Sequence, residues 1–194
     1  MSDEMNFNDA NEQRAFDVIP AGTIVTLQLK IRSGGAGDGW LSKASDGASD
    51  GLDCEFIICD GPYAKRKLWQ RFTLHGATPG HAEAGQISRG TLRALLESAR
   101  GIRPDDNSDA AQKARMVASW GDFDGLRFVA RIGVKPPQNG YAARNSIAEV
   151  ITPERQSWTK PEQIERQEPS STMGPSALAA APANSIARPE WARD

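Results

Sequence analysis

The chain has 194 residues, a formal net charge of −2 and 39% hydrophobic residues. Those values suit one folded domain with appendages, and the two cysteines, Cys54 and Cys59, exclude a disulfide scaffold. No apolar run nears the ~20 residues that span a bilayer, and the polar start has no apolar stretch of a secretory signal, so a soluble protein of a reducing compartment is expected.

Residues 1–15 carry −3 and read as a flexible acidic N-terminus. Residues 16–152 carry +2 and hold nearly all the apolar patterning, so they are the expected domain. The near-neutral mean charge means that any nucleic-acid argument must rest on local arrangement.

The strand pattern is the strongest signal. In residues 23–32, Val25, Leu27, Leu29 and Ile31 alternate with Thr26, Gln28, Lys30 and Arg32. A period of two sends the apolar set to one face and the polar set to the other. Residues 33–51, rich in glycine and aspartate, read as a flexible loop interrupted by Trp40 and Leu41. Their Gly-Gly-Ala-Gly-Asp-Gly run lacks the Lys-Ser/Thr and the following helix that a phosphate-binding loop requires. A second strand spans 52–59, with Leu52, Cys54, Phe56 and Ile58 on one face, and Asp60-Gly61-Pro62-Tyr63 turns it into a third over 65–74.

The third strand carries the functional signal. Leu68, Phe72 and Leu74 share one parity; Lys65, Lys67, Trp69, Arg71 and Thr73 share the other. A Trp among cations opposite the core face suits single-stranded nucleic acid, whose bases stack on the ring at ~1–3 kcal/mol each while phosphates meet the cations. The alternative is a Trp packed under a loop or helix, with the Lys stems covering it.

A helix is expected over 89–99, capped by Ser88, with Leu92, Leu95 and Leu96 as its stripe and Gly101 as its stop. A second short helix is expected in 109–120 with Met116, Val117 and Trp120 inward. A fourth strand over 126–135 puts Leu126, Phe128, Ala130, Ile132 and Val134 inward and Arg127, Arg131 and Lys135 outward. The Asn139-Gly140 turn leads to a fifth over 141–151 with Tyr141 and Arg144. Three strands, a helical segment and two strands follow the order of an OB-fold, a five-stranded barrel that often binds oligonucleotides. The expected fold is therefore mainly β, an OB-like five-stranded barrel followed by a disordered C-terminal tail.

That tail, 153–194, is rich in Pro, Ser and Ala and offers little to offset its ordering entropy. Near its tip, Arg188, Pro189 and Trp191 form either a partner-docking anchor or an incidental exposed Trp.

The chain resembles a family of small proteins encoded in phage and prophage replication–recombination regions. The resemblance lies in the Phe16-Asp-Val-Ile-Pro-Ala-Gly22 stretch, in Asp60-Gly-Pro-Tyr-Ala-Lys-Arg-Lys-Leu-Trp69, and more weakly in Gly140-Tyr-Ala-Ala-Arg-Asn-Ser-Ile147. It covers roughly 16–152, and the 34–53 loop is longer than the usual pattern. It implies an OB-like, single-stranded-DNA-binding role beside recombinases and helicases in a bacterial host cytoplasm.

Catalytic signals are weak. His75 and His81 lack further zinc ligands, Asp122 and Asp124 sit in a commonplace turn, and no nucleophile–base arrangement stands out. The expectation is a non-enzymatic binder of single-stranded DNA, without sequence specificity, cofactor or metal. Its expected binding residues are Lys30, Arg32, Lys65, Lys67, Trp69, Arg71, Arg127, Arg131, Lys135, Tyr141 and Arg144. Its tail tip is expected to recruit a recombinase, helicase or host protein. The alternatives are a protein-interaction module, such as a recombination accessory or anti-defence factor, and then a nuclease.

Overall fold

A computed structural model describes residues 8–9, 17–138, 140 and 142–163. The chain divides into two units, Met1–Ile164 and Glu165–Asp194, and every described residue belongs to the first. Phe16, Asn139, Tyr141, Arg188, Pro189 and Trp191 lie outside the described residues, as do nearly all of the expected N-terminal segment and the tail from 164.

The described chain is mainly β. In order it forms β1 (Ile24–Ile31), β2 (Ser42–Lys43), β3 (Ser49–Ile58), β4 (Lys67–Gly76), α1 (Pro79–Arg100), α2 (Asp109–Ala114), a 3-10 turn (Trp120–Phe123), β5 (Arg127–Lys135) and β6 (Arg144–Ile151). The six strands make one open antiparallel sheet. β3 pairs with β1 on one side and β4 on the other, β1 pairs with β5, and β5 pairs with β6. β4 and β6 are thus the ends of the sheet, and they approach one another without hydrogen-bonding as strands.

The parity of the first three long strands is as the alternation predicts. Leu27, Leu29, Leu52, Phe56, Ile58, Leu68, Phe72 and Leu74 are all buried. Phe56 sits at their centre, edge-on to Phe72 at 6.3 Å and to Phe128 at 5.7 Å. Such pairs add ~0.5–1.5 kcal/mol each beyond their buried area. On β5, Phe128, Ala130 and Ile132 are buried and Val134 is half-buried. Val129, of the other parity, is buried as well, and its amide donates to Ser98 Oγ of α1 at 3.0 Å.

Three expectations are corrected. The first concerns α1, which begins ten residues before the expected start. Thr78 caps it by accepting from the His81 amide, Pro79 opens it, and Ser88 lies buried inside it. Gly80, Gly85 and Gly90 weaken the helical signal of this half, and Gly85 is there for packing: a Cβ on it would stand 2.8 Å from the Leu74 carbonyl of β4. Gly101 ends the helix in the left-handed conformation, φ 72°, as expected.

The second is the 33–51 loop, which is folded. Leu41 is buried, Ala36 bridges to Leu41, β2 pairs with β3, and the Trp40 ring lies against Gly121. Glycines that supply positive φ here, such as Gly35 at 77°, permit a tight return.

The third is the end of the domain. Past Thr152 the chain stays anchored: Trp158 Nε1 donates to the Ser98 carbonyl at 3.1 Å, and the Gln163 side chain bonds both the amide and the carbonyl of Arg127. Residues 153–163 therefore cover α1 and β5 and are not part of a free tail. Among the helix-stripe residues, Met116 is exposed, whereas Val117 and Trp120 pack against the core.

Candidate nucleic-acid interface

The outer face of the β1–β3–β4 region gathers the functional side chains, and strand register sets their rows. Lys30 faces Glu55, which faces Trp69; one row further on, Asp53 faces Arg71. Gln28 faces Ile57, which faces Lys67. Trp69 is 59% exposed, high for the largest apolar side chain. No loop or helix covers it among the described residues.

Each cation next to Trp69 on β4 has a carboxylate partner on β3. Lys67 Nζ lies 2.9 Å from Glu55 Oε1, and the Glu55 side chain is largely covered. The hydrogen bond from Lys67 holds the Glu55 carboxyl below its usual range, helped by the Lys67 charge, the Trp69 indole and the Lys30 charge. Arg71 spans three strands. It grips both Asp53 oxygens at 3.0 and 3.1 Å, the Ser42 hydroxyl at 2.6 Å and the Ser42 carbonyl at 2.8 Å. Ser42 in turn donates to Asp53 Oδ2. A planar guanidinium used this fully ties β2 and the 33–51 loop onto the sheet.

Two open hollows flank Trp69. One, of about 220 Å³, is lined by Arg32, Asp53, Trp69 and Arg71 together with Cys54 and Gln70. The other, of about 250 Å³, is lined by Trp69, Gln70, Arg71, Lys135, Arg144, Asn145 and Ser146. Sharing Trp69, Gln70 and Arg71, they form a groove that crosses β4 toward the β5–β6 hairpin. Arg32, Lys135 and Arg144 are exposed and have no ion-pair partner among the described residues.

The structure brings Arg32, Trp69, Arg71, Lys135 and Arg144 together, with Lys30 and Lys67 beside them through Glu55. It does not bring Arg127 or Arg131 to the groove. Arg127 lies on β5, its guanidinium donating to the Glu162 carbonyl at 3.3 Å under the 153–163 segment. Arg131 pairs with Glu149 at 3.2 Å, and Glu149 also holds Arg155. Lys65 lies before β4, in the left-handed conformation at φ 69°. Tyr141 lies outside the described residues.

Sequence reasoning missed Glu55 and Asp53, which occupy the outward parity of the second strand; pairing that strand with the third would have placed them beside Trp69 and Arg71. It also missed Gln70, Asn145 and Ser146, which carry no distinctive pattern.

Other candidate chemistry disperses. Asp122 accepts the amides of Ala118 and Ser119, and Asp124 accepts the amide of Ile31 at 2.7 Å, so both carboxylates build the turn. Burial, with the nearby Asp53 and Asp124 charges, pushes the Cys54 thiol up to about 12, far from a reactive thiolate. Among the described residues, no group of three His, Cys, Asp or Glu side chains could hold a metal, and no helix is long and apolar enough to cross a membrane. The chain matches no protein-family model and no curated protein.

Proposed function

We propose that the protein binds single-stranded DNA without sequence specificity, as a non-enzymatic component of a phage or prophage replication or recombination system in the host cytoplasm. The observation that carries this reading is Trp69, exposed in a groove whose ends hold Arg32, Lys135 and Arg144, cations without an ion-pair partner among the described residues. An exposed indole offers a stacking platform to any base, and flanking cations neutralise phosphates without reading sequence.

The topology supports the same reading. The pairing of β4 with β3, β3 with β1, β1 with β5 and β5 with β6, with a helix between β4 and β5, is consistent with an OB-like arrangement, and β4 and β6 approach one another at the ends of the open sheet. In that fold the second and third long strands and the loops before and beyond them bind oligonucleotides. Here those are β3 and β4, whose Asp53, Trp69 and Arg71 line the groove, the β5–β6 hairpin, whose Lys135 and Arg144 do, and the 33–51 loop, which Arg71 ties to the sheet through Ser42. The resemblance of residues 60–69 to phage recombination-region proteins supports the biological setting. The tip with Arg188, Pro189 and Trp191 fits a docking segment for a recombinase, helicase or host protein.

The test is fluorescence anisotropy with labelled single- and double-stranded oligonucleotides at two salt concentrations. The expected result is tighter, salt-sensitive binding to the single strand. Equal affinity for both forms, or no binding at low salt, would overturn the proposal and favour a protein-interaction module.

A further inference from the structure

Among the described residues, six cations stand on or beside the outer face, Lys30, Arg32, Lys67, Arg71, Lys135 and Arg144, and they are not electrostatically equivalent. Lys67 and Arg71, which flank Trp69 along β4, are already matched by Glu55 and Asp53. Arg32, Lys135 and Arg144, which flank Trp69 across the sheet, are exposed and without an ion-pair partner among the described residues.

We propose that a bound strand crosses the sheet from Arg32 over Trp69 to Lys135 and Arg144, that these three cations meet its phosphates, and that Glu55 and Asp53 withhold Lys67 and Arg71. This rests on the single-strand reading above and specifies the path and the charges that it uses. A path along β4 would meet only cations already matched by carboxylates. A path across it also passes Asp53 in the first hollow, but it meets Arg32 there, then the indole, then Lys135 and Arg144 in the second, the cations without an ion-pair partner among the described residues. Strands lie about 4.8 Å apart, so the crossing from the end of β1 over β3 to β4 is about 10 Å, within the reach of one base and its two phosphates.

Arg71 serves the path differently. By bonding Ser42 and Asp53 it ties the 33–51 loop, which follows Arg32 in the chain, onto the sheet, which makes it a positioning residue. Lys67 is a reserve charge. An exposed ion pair is worth only ~0–1 kcal/mol, but a lysine that brings its own carboxylate contributes no net charge to the phosphates.

The dependence of affinity on salt counts the phosphates neutralised, with a slope of about −0.7 per contact on single strands. The experiment measures that slope for the full chain on labelled oligothymidine. The wild type should give about −2. Arg32→Gln, Lys135→Gln and Arg144→Gln should each make it shallower by about 0.7. The charge-neutral double variant Glu55→Gln with Lys67→Gln should leave it unchanged. Glu55→Gln alone keeps an acceptor for the indole but frees Lys67, so it should steepen the slope by about 0.7 and tighten binding. A wild type that does not bind overturns the single-strand reading itself. A wild type that binds, with Glu55→Gln neutral or the first three variants unchanged, overturns only the path. Circular dichroism of every variant separates charge effects from unfolding.

Discussion

Arg115 Nε donates to Glu97 Oε1 at 2.7 Å, and their side chains are only 13% and 4% exposed. The same guanidinium donates to the carbonyls of Asp106 and Arg103, so one arginine fastens the 103–106 turn and the end of α2 to the last turns of α1. Arg93 completes the acceptor's surroundings at 2.8 Å. Without Arg115, Glu97 keeps only the more exposed Arg93 as counter-ion, and the Asp106 and Arg103 carbonyls lose their donor. Arg115→Met should therefore lower stability by ~1–3 kcal/mol, read as a shifted urea midpoint. A loss under ~1 kcal/mol would show that water replaces the guanidinium.

Trp69→Ala should separate binding from folding. The ring is mostly exposed, so urea stability should stay within ~0.5 kcal/mol. Single-strand affinity should fall by ~1–3 kcal/mol if a base stacks there. Intact binding would place the strand elsewhere.

Gly85→Ala sets two effects against each other. In a free helix the change would stabilise by ~1 kcal/mol. Here the methyl would meet the Leu74 carbonyl at 2.8 Å, so α1 must move off β4. Overpacking costs ~1–3 kcal/mol, so the net effect should be destabilising. Gly90→Ala, where nothing lies within 4 Å, should be neutral or stabilising by comparison. Thermal unfolding of the pair checks the sign.

Chain length should matter at Gln163, not at Thr152. A chain ending at Ile151 loses the Trp158 and Gln163 anchors on Ser98, Ala99 and Arg127 and should melt earlier than one ending at Ile164. The longer truncation should match the full chain in stability and in single-strand binding. Equal melting of both would make 153–163 dispensable.

Cys54 should impose an alkaline limit. Its thiol is raised from 9.0 to about 12 by burial first and by Asp53 and Asp124 next. A group raised in the folded state stabilises fully below its unfolded value, so its contribution should be lost as pH climbs from 9.0 toward about 12. Cys54→Ala should flatten that limb of the midpoint-against-pH curve. Near neutral pH the native thiol should resist iodoacetamide.

Strand parity was legible because a period of two is local: Leu27, Phe56 and Phe72 fall inward, and Trp69 outward, whatever the partners are. The left-handed stop at Gly101 was legible for the same reason. The first half of α1 was not, because its glycines weaken the helical pattern and are explained only by how closely Gly85 approaches β4. Nor was the fold of the 33–51 loop, which depends on Arg71 reaching Ser42 from 29 residues away. The charges of the groove were decided at the same level. Sequence alone determined that Lys67, Trp69 and Arg71 share a face. Only the β3–β4 register determined that Glu55 and Asp53 stand opposite Trp69 and Arg71, because cross-strand neighbours are set by pairing and not by distance along the chain.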